Sequence, residues 1–289
     1  MIFKNLTVFQ TPKNWLPPVI TDGLFQPCSA FQTTTCGWVA PRGDGKIMPI
    51  ISGHALLALR IERRLLPGSV VSTVVKEAAT LLEETQGFAP GRRQIRELRE
   101  QALAELTPKA FRVHQTTHLW IDPINGRISI DTASNARAEK VIEHLFASLP
   151  PFTMLPTLLR KSSADGMREW LVTDEEPDLF TIDKDCTLRG LDNNEVKYVN
   201  ETLGDQVRQQ LEAGKHPTKL ALTYNDRVSF ALSDKFGFSR IELLDLTREN
   251  DGTTQTAEER FDADFTIMTG ELAKLINATA EALGGFIQE

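Results

Sequence analysis

Between Pro67 and Pro108 the sequence keeps a helical apolar period in two runs, broken only by Gly87 to Gly91, and on either side of this block it alternates as strands do. In the first run Val70, Val71, Val74, Val75, Ala78, Leu81 and Leu82 recur at steps of three and four residues. In the second, Ile95, Leu98, Ala102, Leu103 and Leu106 share one face. Two helices joined by so short a break make an αα-hairpin. Residues 2 to 9 and Phe111 to Ile121 read as strands, and Asn125-Gly126 turns the chain into another in which Ile128 and Ile130 alternate with Ser129 and Asp131. Helices set among strands without a repeating βαβ order predict the α+β class, with mixed sheets, packed helices and a protruding αα-hairpin.

The remaining segments fill in this outline. Pro12 to Gly45, rich in Pro, Gly and Thr, reads as loops and short strands around Gly37-Trp38-Val39. Ser134 has the form of a cap for a helix whose Ala138, Val141, Ile142 and Leu145 face inward. Pro150-Pro151 to Pro156 reads as a linker. Asp192 with Glu195 has the form of a helix start, with Val196, Val199, Leu203, Val207 and Leu211 supplying an apolar stripe up to Gly214. Lys219 to Leu222 and Val228 to Leu232 form a strand pair across Asn225-Asp226. Phe261, Ala263 and Phe265 alternate with Asp262 and Asp264 as in a half-buried strand, and a last helix runs from about Gly270 to Leu283, stopped by Gly284-Gly285. The expected organisation is strands and loops over 1–69, the helical hairpin over 70–107, a strand hairpin plus helix over 108–150, and a C-terminal α+β region over 151–289.

The net charge of −7 argues at first against a polyanionic partner, because cations supply most of the affinity for phosphate. The charge is unevenly distributed, however: +2 over residues 1–59, +3 over 60–112, −4 over 113–240 and −8 over 241–289. A fold that separates these segments can hold a polyanion on its N-terminal and middle surfaces. Cys28, Cys36 and Cys186 are odd in number and lack metal-ligand spacing, so reduced thiols and no bound metal are expected. The N-terminal residues lack the pattern of a signal peptide, and the apolar run Ile47 to Leu59 is too short to span a bilayer. A cytoplasmic protein without a membrane partner is expected. No P-loop, GxGxxG, HExxH or GxSxG motif occurs, and no cofactor is expected.

Three constellations bear on chemistry. Asp262, Asp264 and Glu271 could hold Mg²⁺ for phosphodiester cleavage, or could simply be the solvated face of a strand and helix. His54, His114, His118, His144 and His216 are scattered; His114 and His118 point the same way on a predicted strand but lack a third ligand. Arg92, Arg93, Arg96 and Arg99 recur at helical spacing, with Arg92, Arg96 and Arg99 on one side, and such a row can meet several phosphates of a duplex. The alternative is that Glu97, Glu100 and Glu105 pair with them on an ordinary solvated helix. An interaction module that touches only proteins is a further reading.

The C-terminal run Arg260-Phe261-Asp262-Ala263-Asp264-Phe265-Thr266-Ile267-Met268-Thr269-Gly270-Glu271-Leu272-Ala273, followed by Glu281-Ala282-Leu283-Gly284-Gly285, resembles the closing signature of the RdgC family. Further matches lie in the same order: Cys36-Gly37-Trp38-Val39 after Pro27; Leu119-Trp120-Ile121-Asp122 with Asn125-Gly126 and Asp131; and Glu212-Ala213-Gly214-Lys215 with Thr218-Lys219-Leu220-Ala221-Leu222. Together they run from Phe3-Lys4-Asn5-Leu6 to the end, with residues 153 to 190 matching least. The resemblance implies the subunit of a ring-shaped homodimer, closed by two interfaces around a hole wide enough for duplex DNA. It implies binding of single- or double-stranded DNA with little sequence preference, a nucleoid location, no enzymatic activity, and restraint of the RecA recombinase by occupying DNA. A ring needs cations only on its inner wall, so an acidic outer surface is compatible with that role.

Carried over residue by residue, the resemblance implies DNA contacts at Lys76, Arg92, Arg93, Arg96, Arg99, Lys109, Arg112, Lys215 and Lys219. Leu106-Thr107-Pro108-Lys109-Ala110-Phe111 corresponds to a Leu-Pro-basic-Ala-Phe motif with Thr107 as an extra residue. Phe111 thereby matches an aromatic residue at the ring-closing interface; the alternative is Phe111 as the core of its own strand. Gly190-Leu191-Asp192-Asn193-Asn194 departs from a loop that carries consecutive lysines and a glutamine in a family member, so no contact is carried over there.

Overall fold

The computed structural model describes residues 3–244 and 256–287. In chain order its elements are β1 (Asn5–Gln10), β2 (Thr34–Val39), β3 (Ile50–Ile51), β4 (His54–Leu65), α1 (Gly68–Gln86), α2 (Arg92–Leu106), β5 (Phe111–Asp122), β6 (Arg127–Ile130), α3 (Asn135–Ser148), β7 (Leu155–Pro156), α4 (Ser163–Thr173), β8 (Phe180–Arg189), β9 (Glu195–Tyr198), α5 (Asp205–Glu212), β10 (His216–Tyr224), β11 (Val228–Ser233), β12 (Gly237–Leu243) and α6 (Ala257–Ala282). The class is α+β. The chain divides into two compact units, one of residues 1–20, 40–57 and 117–289 and the other of 21–39 and 58–116. Strands β4 and β5 each contribute residues to both.

In the larger unit the strand order from β5 is β6, β1, β12, β11, β10, β8, β9. β1 lies between β6 and β12, with Thr7 opposite Ile130 and Leu6 opposite Phe238. Alternation sends Leu6 and Val8, Leu220 and Leu222, and Phe230 and Leu232 into one core. That core is completed by Met167 and Trp170 of α4 and by Phe265, Met268, Leu272, Leu275 and Ile276 of α6. α6 starts at a capping box in which the Thr256 hydroxyl accepts from the Glu259 N–H and the Glu259 carboxylate accepts from the Thr256 N–H.

In the smaller unit β2 pairs antiparallel with β4 from Val39 opposite Ala58 to Thr34 opposite Arg63. Gly37 is required in this pair, since a Cβ there would sit 2.3 Å from the Phe25 Cα. The chain passes close over β2, with the Trp38 N–H donating to the Gly23 carbonyl and the Phe25 N–H to the Trp38 carbonyl. α1 ends on Gly87 in the left-handed conformation, whose N–H donates to the Glu83 carbonyl, and α2 follows after the Gly91 cap. The two helices pack on each other, and only Val71 of α1 and Ala102 of α2 are fully buried.

Three expectations are corrected. The described registers are antiparallel rather than mixed, because strands succeed one another through tight turns such as Asn225-Asp226, where both residues have positive φ. No helix starts at Asp192. Its carboxylate accepts from the Asn194 N–H and side-chain amide, Asn193 is left-handed, and Glu195–Tyr198 pairs with β8, so the helix begins only at Asp205. Phe261 to Phe265 is not a strand but lies in the first turns of α6, because residues four apart also share a helix face and the cap lies upstream at Thr256. Among the described residues no helix is long and apolar enough to cross a membrane.

Candidate nucleic-acid interface

Arg92, Arg93, Arg96 and Arg99 are all exposed on α2. Arg93 pairs with Glu97 at 3.0 Å and Arg96 with Glu100 at 3.1 Å, each one turn apart, and Lys109 reaches Glu105 at 2.7 Å. The pairing alternative therefore holds for two of the four arginines, Arg93 and Arg96, while Glu105 pairs with Lys109 beyond the end of α2. Arg92 and Arg99 have no carboxylate partner among the described residues. Exposed pairs of this kind contribute about 0.3–0.5 kcal/mol, so a phosphate can displace the glutamates at little cost.

The other cations are placed separately. Lys76 is exposed on α1, and Arg112 is exposed on β5. In the larger unit, Lys215 donates from Nζ to Gln210 Oε1 at 2.7 Å, and Lys219 is exposed on β10 opposite Ser233 and Thr187. The first seven cations thus belong to the smaller unit and the two lysines to the larger. Phe111 is 84% exposed and its neighbours through Thr116 are exposed as well, so within the single chain it is not the core of its strand.

A second group in the smaller unit was missed by attention to the helical row. Arg60, Glu62 and Arg64 alternate along β4, and Arg112 and His114 along β5, a period of two that puts each set on one strand face. Glu62 is 1% exposed and accepts the Cys28 N–H at 2.8 Å. That hydrogen bond, with lesser help from the Arg112 and His114 charges, holds its carboxyl below the usual range against the opposing effect of burial. His114 Nδ1 lies 3.5 Å from the other Glu62 oxygen, and its ring packs edge-to-face with Phe25, the ring centroids 6.3 Å apart. The Arg60 guanidinium stands 5.6 Å over the same Phe25 ring. Arg64 is buried, and its guanidinium donates to the carbonyls of Ser29, Gln32, Thr107 and Pro108.

The acidic candidates do not converge. Asp262 pairs with Arg42, which also holds Asp44 at 2.7 Å, and these two carboxylates push the guanidinium above its ordinary range. Glu271 lies 2.9 Å from Lys274 and 3.7 Å from Arg227. Among the described residues no three His, Cys, Asp or Glu side chains are grouped as metal ligands. His114 sits against Glu62, whereas His118 packs on Phe3 and His54 accepts from the Trp120 indole at 3.2 Å. Burial raises the Cys186 thiol to about 12, so it is no nucleophile at neutral pH.

The family model described as "Putative exonuclease, RdgC" matches residues 1–286. The chain belongs to the RdgC family. Among proteins named recombination-associated protein RdgC, that of Dechloromonas aromatica (strain RCB) is 43% identical, covering 100% of this chain and 99% of its own length. The Janthinobacterium sp. (strain Marseille) protein is 39% identical with 100% of both covered, and that of Bordetella pertussis is 38% identical with 99% of both covered. Membership in the RdgC family therefore takes in both units, including α2 and the strands that carry Arg60, Glu62 and His114.

Proposed function

We propose that this chain is a sequence-independent DNA-binding protein, that it acts as a homodimer encircling single- or double-stranded DNA, and that it limits RecA-mediated recombination by occupying the DNA rather than cutting it. The observation that carries this reading is the exposed arginine row of α2. Arg92 and Arg99 are about 10 Å apart along the helix, a span over which a duplex presents several phosphates. Each phosphate neutralised releases condensed counterions, so affinity is electrostatic and independent of base sequence. The names of the relatives support a place in recombination. In this reading the protein stays in the cytoplasm, associated with the nucleoid, and needs no cofactor.

The test is a titration with linear and circular DNA of unrelated sequences at about 50 and 200 mM salt, with the dimer mass checked alongside. Equal affinity for unrelated sequences and a steep loss at the higher salt are expected. No binding at the lower salt would sink the proposal and leave a protein-only interaction module as the reading. The family-model description favours a second reading, a metal-dependent nuclease using Asp262, Asp264 and Glu271. The cations against Asp262 and Glu271 speak for the non-enzymatic reading, since a metal would have to displace them. Linear duplex and plasmid incubated with Mg²⁺ should both stay intact; degradation of either that disappears in Asp262→Ala would establish the nuclease.

A further inference from the structure

We propose that Arg60 and His114, both against the Phe25 ring, together with Arg112 two residues from His114 on β5, form a binding site for a DNA backbone phosphate whose occupancy requires a proton on His114. The inference rests on the DNA-binding reading above and adds to it a site and a pH response.

The argument starts from the buried Glu62. One of its oxygens is taken by the Cys28 N–H at 2.8 Å, and the other faces His114 Nδ1 at 3.5 Å. The histidine side chain is 49% exposed, so with Nδ1 turned to Glu62 the remaining Nε2 is the nitrogen available to an outside ligand. A neutral imidazole carries one N–H and can serve either the carboxylate or an incoming phosphate oxygen. Only the imidazolium donates to both. Binding a phosphate here therefore draws a proton onto His114, and lower pH favours binding.

The surrounding charges suit an anion. From β4 the groups on this side are Arg60, Glu62 and Arg64; from β5, Arg112; and from the segment before β2, Phe25 and Cys28. Arg64 is buried and spent on backbone carbonyls, so it is not free to meet a ligand. Arg60 and Arg112 have no ion pair with a carboxylate among the described residues, so Glu62 leaves the group net positive. The Arg60 guanidinium is steadied by the Phe25 ring, and Arg112 lies two residues from His114 on the same face of β5.

The experiment uses the full chain and a short duplex of arbitrary sequence, titrated at pH 6 and pH 8 at one salt concentration. Binding of the unsubstituted protein should be about three- to tenfold tighter at pH 6, tenfold being the effect of one full pKa unit of linkage. His114→Gln should bind at both pH values as the unsubstituted protein does at pH 8. Arg112→Gln should weaken binding at both and lower the log-log salt slope by about 0.9, one phosphate contact. Glu62→Gln keeps an acceptor for the Cys28 N–H and should shrink the pH effect. Equal affinity at the two pH values, or a full pH effect retained in His114→Gln, overturns the proposal while leaving DNA binding standing. Absence of binding at both pH values overturns this proposal and the DNA-binding reading together.

Discussion

Arg64 and Glu62 are neighbours on one face of β4 and are buried to a similar degree, yet they do different things. Arg64 ties the carbonyls of Ser29 and Gln32 to those of Thr107 and Pro108, so it fastens the 28–32 segment to the foot of α2. Arg64→Met should leave those carbonyls unsatisfied and cost more than about 3 kcal/mol, read as a lowered denaturant midpoint at unchanged slope. Arg64→Lys should recover little of it, because one ammonium cannot reproduce the planar fork. Glu62 has a depressed carboxyl pKa, so its contribution is present above the ordinary carboxylate range and is lost as pH falls through the folded-state value. Acid unfolding followed by circular dichroism should therefore be less steep in Glu62→Gln. The sequence shows that these residues share a strand face, because their period is two. It does not show that the face is covered, since the covering segment from Thr21 to Thr33 carries no periodic signal.

At the scale of elements, the helical period from Val70 to Leu106 translated directly into α1 and α2 because each run was long enough to exclude a strand. In two other segments the local pattern fits more than one structure. Asp192 offers a helix cap, but its carboxylate closes a turn onto Asn194 instead. Phe261 and Phe265 fit both periods, and only the Thr256 and Glu259 capping box upstream decides between them. α2 yields a clean test of the arginine row. Arg92→Glu with Arg99→Glu should weaken DNA binding by tenfold or more and flatten its salt dependence, yet shift the unfolding free energy by less than about 0.5 kcal/mol, since neither side chain has a described partner. Gly37→Ala should do the reverse of a surface change: the new Cβ meets Phe25 backbone at 2.3 Å, and a loss of about 3 kcal/mol or more is expected in thermal unfolding.

For the whole molecule, family membership was legible in the C-terminal run and three internal segments, because such runs fix many side chains at once. The division into units was not legible in the same way: the smaller unit is assembled from residues 21–39 and 58–116, and spatial neighbours so far apart leave no local pattern. In the proposed ring, Phe111 offers a large apolar side chain to a second copy. Phe111→Ala should reduce residence on circular DNA to that on linear DNA of equal length, measured by competitor challenge; a circular-to-linear ratio that stays as before would remove Phe111 from the closing contact.

The place of β1 has a further consequence for how the protein is made. Leu6 is synthesised 232 residues ahead of its cross-strand neighbour Phe238. A nascent chain must carry β1 unpaired on that edge until β12 has been made, the situation in which edge-to-edge aggregation competes with folding. Products of premature termination before Gly237 would be left with that edge open for good, fit for clearance by proteases rather than for any partial activity.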